Sequence, residues 1–153
     1  DILKSDDRES HPLEPYKVKI YEILKSATLN SAEEQERIDA IEGLAVLACL
    51  NSGRLVETAL INEIVTLLVD ALIKHTPQRE QKDSINDVAR TSHAALYALV
   101  SISLVHPSVI LSHAIPPIVT ELEKQISLYQ ELNETTTETT TTNVRSPLAI
   151  FIA

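Results

Sequence analysis

The side chains best suited to chemistry in this sequence are few and poorly spaced for it. Of five histidines, His106 and His113 stand seven residues apart with Pro107 between them. Neither an H-E-x-x-H pattern nor a paired-cysteine spacing occurs, so no metal site is expected. The carboxylate pairs Glu33/Glu34, Glu121/Glu123 and Asp6/Asp7 could supply an acid and a base. None has a nucleophile beside it, and each lies in a polar stretch that reads as a solvated helix face. Two glycines in 153 residues leave no loop that could cradle a phosphate. The single cysteine, Cys49, sits within the apolar run from Leu44 to Leu50 and reads as a small buried hydrophobe. No internal disulfide is possible, which points to a reducing compartment, the cytoplasm or the nucleus. The expectation is a protein that is not an enzyme and uses no cofactor and no metal.

Composition narrows the class further. With 44% hydrophobic residues the chain is globular, but two glycines, four tyrosines and one phenylalanine are little material for turn-rich β architecture, so an all-α fold is predicted. Thirteen basic against 22 acidic residues give a net charge of −9, which opposes nucleic acid and anionic lipid and favours a basic protein or peptide as partner. The longest apolar stretch, Ala94 to Val105, falls short of the roughly 20 residues a membrane-spanning helix needs. The absence of methionine and a start at Asp1 read as a portion of a longer chain or complex.

Apolar periodicity and punctuation place five helices. Residues 1–14 are a solvated lead-in. Pro15 opens a helix over 15–29, with Tyr16, Ile20, Ile23, Leu24 and Ala27 on one face. Ser31-Ala32-Glu33-Glu34 has the form of a capping box and starts a helix over 32–51, striped by Ile38, Ile41, Leu44, Ala45 and Ala48 and stopped at Gly53. A third runs over 55–75 through Leu60, Ile64, Leu67, Leu68 and Leu72 to His75 and Pro77. The polar segment 76–83 reads as an exposed loop. Ser84-Ile85-Asn86-Asp87 then opens a helix over 84–105, running through Val88, Ala95, Leu96, Leu99, Val100 and Ile102 to His106-Pro107, with Leu99 expected in the core. The fifth, over 108–130, carries Pro116-Pro117, which predicts a kink or, preferably, a restart. Residues 131–143 are Thr-rich and read as a disordered linker. The tail 144–153 is apolar again, and either begins a further element or docks back.

These helices repeat. At an offset of 54 residues Ala40 meets Ala94, Val46 meets Val100 and Leu50 meets Leu104. The stretch Ile61 to Leu68 then lies on Ile115 to Leu122 with Ile, Ile, Val, Thr and Leu in common. A period of this length built from helical patterns points to an α-solenoid of about two and a half antiparallel helix pairs over 15–130.

The helix pairs, the proline near the start of a first helix and the Asp87-Val88-Ala89-Arg90 segment opening a second one resemble the HEAT/armadillo repeat superfamily. The resemblance implies that Asp87 and Arg90 belong to a structural ladder of polar contacts between adjacent repeats. It also implies that the second helix of each pair lines a concave binding face, where Glu36, Asp39, Glu42, Ser92 and His93 are the exposed candidates for partner binding. The function expected is a protein–protein interaction scaffold or adaptor. A closed helical bundle acting as a regulatory adaptor is the alternative, and an all-α enzyme is the third reading.

Overall fold

The computed structural model describes residues 10–75 and 85–140, with side chains at 85–89 and 136–140 excepted. It is all-helical, with no strand among the described residues. A short 3-10 turn, Glu14–Tyr16, leads into α1 (Lys17–Asn30), followed by α2 (Glu34–Gly53), α3 (Thr58–Lys74), α4 (Ile85–Val105), the single turn α5 (Pro107–Val109), a π-helical stretch (Ile110–Ala114) and α6 (Ile115–Thr140). The chain divides into two compact units, Asp1–Pro117 and Ile118–Ala153.

In the first unit α4 is the central helix, packed on both α2 and α3, while α1 packs on α2. Ile41 and Leu44 from α2, Ile61, Ile64, Val65 and Leu68 from α3, and Ile102 from α4 are all withdrawn from water. Each such side chain contributes about 1.5–3 kcal/mol by leaving solvent. Leu68 and Leu99 are both core residues, as their stripes require. Helices approach closely where residues are small: the space a Cβ on Gly43 would need is occupied by Leu24 of α1, 2.9 Å away.

Polar groups fix how α1 meets α3. The Lys17 ammonium donates to Glu14 at 2.6 Å, to Glu57 just ahead of α3, and to the Leu55 carbonyl at 3.2 Å. Its pKa is raised above the ordinary lysine value, first by the Glu14 hydrogen bond and then by Glu57. One turn on, the Tyr21 hydroxyl donates to Glu63 at 2.9 Å, so the ring is buried with its polar end satisfied.

Several sequence expectations are corrected. The inner stripe of α1 holds Tyr21 and Thr28, while Tyr16 and Ile23 are exposed. Burial of these two polar residues is possible because Thr28 Oγ1 donates to the Leu24 carbonyl and Tyr21 has Glu63. Helix α2 begins at Glu34, and Ser31 is not its N-cap. Its Oγ accepts from the Glu33 amide at 3.2 Å and donates to Glu36, a local turn in place of the capping box. In α4, Leu96 and Val100 face solvent, and the buried side is Thr91, Ser92, Ala95, Ala98, Leu99 and Ile102. Small residues occupy this side because α4 has a neighbour on two flanks.

The double proline falls in the first turn of α6, so the α-helix starts afresh at Ile115 after the short turn α5, as expected, but without a break in helical backbone between them. Proline amides leave carbonyls one turn earlier without their usual donors. The backbone widens just before them instead, with the Ile115 amide donating back to Ile110 across a π-helical turn. The chain then stays helical to Thr140, so 131–140 of the expected linker is helix, where Thr135 Oγ1 donates to the Glu131 carbonyl at 2.8 Å. The loop 76–83 and the tail 144–153 lie outside the described residues.

Candidate functional site

Helices α2 and α4 run in the same direction. Near their starts the Arg90 guanidinium donates to Gln35 at 3.0 Å and lies 3.5 Å from the Glu34 carboxylate. Towards their ends the Cys49 thiol points at the Ser101 carbonyl, 3.7 Å away, and His106 Nε2 lies 3.1 Å from the Ala48 carbonyl. These contacts set each residue of α2 roughly level with the residue 52 to 58 positions later in α4. The 54-residue echo is therefore a spatial register as well as a sequence one.

Both helices present one face to solvent. On α2 it carries Glu36, Asp39 and Glu42 and then Val46, three or four residues apart, which is the spacing of one helical stripe. On α4 it carries His93, Tyr97, Val100 and Leu104. The shared direction puts the acidic residues and His93 at one end and the apolar residues at the other. Val46 is 57% exposed and Val100 53%, so the two valines matched by the echo are also matched in exposure.

The expected partner-binding residues fall unevenly on this face. Asp39, Glu42 and His93 are exposed upon it, with Asp39 accepting from Gln35 at 2.8 Å. Glu36 is exposed but already bonded to Ser31, tying it to the turn ahead of α2. Ser92 is buried, at 7% exposure, and is corrected: it lies on the side of α4 that enters the core, one residue round from His93. Arg90 reaches α2 through Glu34 and Gln35, and the Asp87 side chain lies outside the described residues.

Sequence reasoning passed over the apolar half of the face. An apolar residue in a helix is ordinarily read as inward-facing, and nothing in the sequence marks Tyr97 or Val100 as exposed. The signal in the sequence is that α4 from Ala94 to Val105 is apolar at all but Ser101 and Ser103, more than one buried stripe can use.

Other groups with chemical potential are explained by packing. Burial pushes the Cys49 thiol up from its ordinary pKa and away from the reactive thiolate. His75 ends α3 and is lowered, first by burial and then by the charges of Arg37 and Lys74. No cluster of three or more potential metal ligands occurs among the described residues, and no helix among them is long and apolar enough to cross a membrane. No protein-family model, curated protein or solved structure matches the chain.

Proposed function

We propose that this chain is a protein–protein interaction scaffold of the HEAT/armadillo type. In this reading α1 with α2, and α3 with α4, are antiparallel pairs stacked in one direction, and the outward face of α2 and α4 receives a basic protein or peptide. Three features support the stacking: the common direction of α2 and α4, the α1-to-α3 links through Lys17 and Tyr21, and the 54-residue period. The observation that carries the function is the face itself, where exposed Val46, Tyr97, Val100 and Leu104 adjoin exposed Asp39 and Glu42. Contiguous exposed apolar residues bordered by charge mark interaction surfaces. Aromatic and aliphatic anchors supply binding energy, and the acidic end steers a basic partner.

The test is comparative capture from lysate, followed by association rates for the captured protein. Reversing Asp39 and Glu42 to lysine should slow association by roughly an order of magnitude, with the wild-type rate falling as salt rises. Reversal of Glu22 and Asp70, exposed on α1 and α3, should leave it unchanged. Glu63 is unsuitable as a control because it accepts the Tyr21 hydroxyl. Equal effects from both sets, or salt-independent association, would overturn the reading.

A further inference from the structure

The described part of the second unit is one helix, the stretch of α6 from Ile118 to Thr140. Its outer stripe advances by three and four residues in turn, through Val119, Leu122, Ile126, Tyr129 and Asn133. That alternation is the seam of a coiled coil, with Val119, Ile126 and Asn133 at a and Leu122 and Tyr129 at d. The four apolar members are between 45% and 58% exposed, so about half of each side chain meets water.

We propose that two copies of this chain associate through α6, in parallel and in register, along the seam from Val119 to Asn133. The residue types select this occupant. β-Branched residues at a with leucine at d favour two parallel strands, and a single asparagine at a fixes the register by meeting its own counterpart. Although the chain is acidic, its charges avoid the seam. Glu121 and Lys124 pair with each other at 3.9 Å at c and f, and Glu131 and Glu134 occupy f and b. Of the charged residues between Ile118 and Thr135, only Glu123, at e, borders the seam. In a parallel pair it faces the apolar Ile118 at g of the other copy, and the uncharged Gln130 faces Gln125. No like charges meet. The area also suffices: Val119, Leu122, Ile126, Tyr129 and the flanking Leu132 would each give up roughly 80–130 Å², on the order of 1,000 Å² for the two copies, the lower bound of a specific interface.

The experiment is sedimentation equilibrium of the whole chain in about 0.15 M salt, from about 10 μM to 1 mM, a range suited to an interface of this size. The wild type is expected to pass from monomer to dimer within it. Ile126→Asp places a charge in the seam and should weaken the dimer about tenfold or more. Leu128→Asp makes the same change at c, on the far side of the helix at 51% exposure, and should alter the dimer less than about twofold. Circular dichroism checks that both variants keep the wild-type helix content. Orientation is read separately by oxidation of single-cysteine chains carrying Cys49→Ser. Val119→Cys should form a disulfide between copies at least several-fold faster than Lys124→Cys, since parallel pairing in register brings both residues 119 within about 7 Å. A wild type that stays monomeric to the highest concentration, as it would if another protein covered this stripe, overturns the proposal. Equal effects of the two aspartates, the mark of non-specific apolar association, or equal disulfide rates from 119 and 124 overturn it as well.

Discussion

The two copies of the echo carry the same apolar pattern to opposite ends of the burial scale. Ile61, Ile64, Val65 and Leu68 are completely buried in α3; Ile115, Val119 and Leu122 are exposed in α6 and Ile118 is half-buried. A helical stripe therefore specifies which side is available for burial, and the neighbouring helix decides whether burial happens. The sharpest way to break this contrast is to truncate matched residues. Leu68→Ala should cost about 2–5 kcal/mol through lost burial and a cavity. Leu122→Ala should cost less than half as much, both read by urea denaturation. Equal losses would mean that the two copies share one environment.

The copies also leave their second helices differently. In the first, regular α2 torsions stop after Cys49, and Asn51, Ser52 and Gly53 all take positive φ before α3 begins. At the matching place in the second copy stand Val105, His106 and Pro107, and Pro107 opens a new helical turn with its fixed φ. Gly53 has two reasons to be glycine. Its φ is +76°, and a Cβ there would fall 2.4 Å from Val105 and 2.5 Å from the His106 ring. Gly53→Ala should thus cost on the order of 2–3 kcal/mol from left-handed strain and overpacking together. Pro107→Ala should cost below about 1 kcal/mol, since a helix-compatible position loses only rigidity. If alanine were tolerated equally well at both, contact between the Gly53 turn and the end of α4 would be refuted.

Two tyrosines extend the contrast to pH. Tyr21 is buried against Glu63 and its pKa is pushed up to about 12, mainly by burial and next by the hydrogen bond to Glu63. Tyr97 stands exposed on α4. A folded pKa above the unfolded value near 10 means that the native state holds the proton more tightly. That stabilisation is fully present below pH 10 and disappears between pH 10 and 12, a fall on the order of 2 kcal/mol. Denaturation midpoints across this window should drop for the wild type and for Tyr97→Phe. They should stay flatter for Tyr21→Phe, which starts lower by about 1 kcal/mol for the lost hydrogen bond.

Helix positions and most of the first unit's core were legible because apolar spacing, Gly53 and the prolines are local signals. Pairing partners were less legible. The sequence does not show that Tyr21 is buried, because that depends on Glu63, 42 residues away. It does not show that Ser92 turns inward, because α4 has neighbours on two sides and small residues meet them. The expected disordered linker failed for a related reason: threonine composition is a weak signal beside a helix already running into it. On the candidate face, charge was legible and the apolar half was not, since exposed and buried valines look alike in sequence.

The smallest expected effect on stability carries the most functional information. Val46 and Val100 occupy equivalent positions in the two copies, share identity, and share an exposure slightly above one half. Burial in the core accounts for neither. Exposed β-branched residues are not favoured in helices, where leucine, lysine or glutamate would lose less side-chain freedom. Replacing both valines by serine should therefore change the unfolding free energy by less than about 1 kcal/mol, since each is a surface substitution. A partner that anchors on this face would lose the apolar contact of both. Its dissociation should quicken while its association and salt dependence stay as in the wild type, the reverse of the result expected from Asp39 and Glu42. Association and dissociation rates measured for the two sets of variants separate anchoring from steering. A double valine variant that binds as the wild type does would remove the apolar half from the site and leave an acidic face alone.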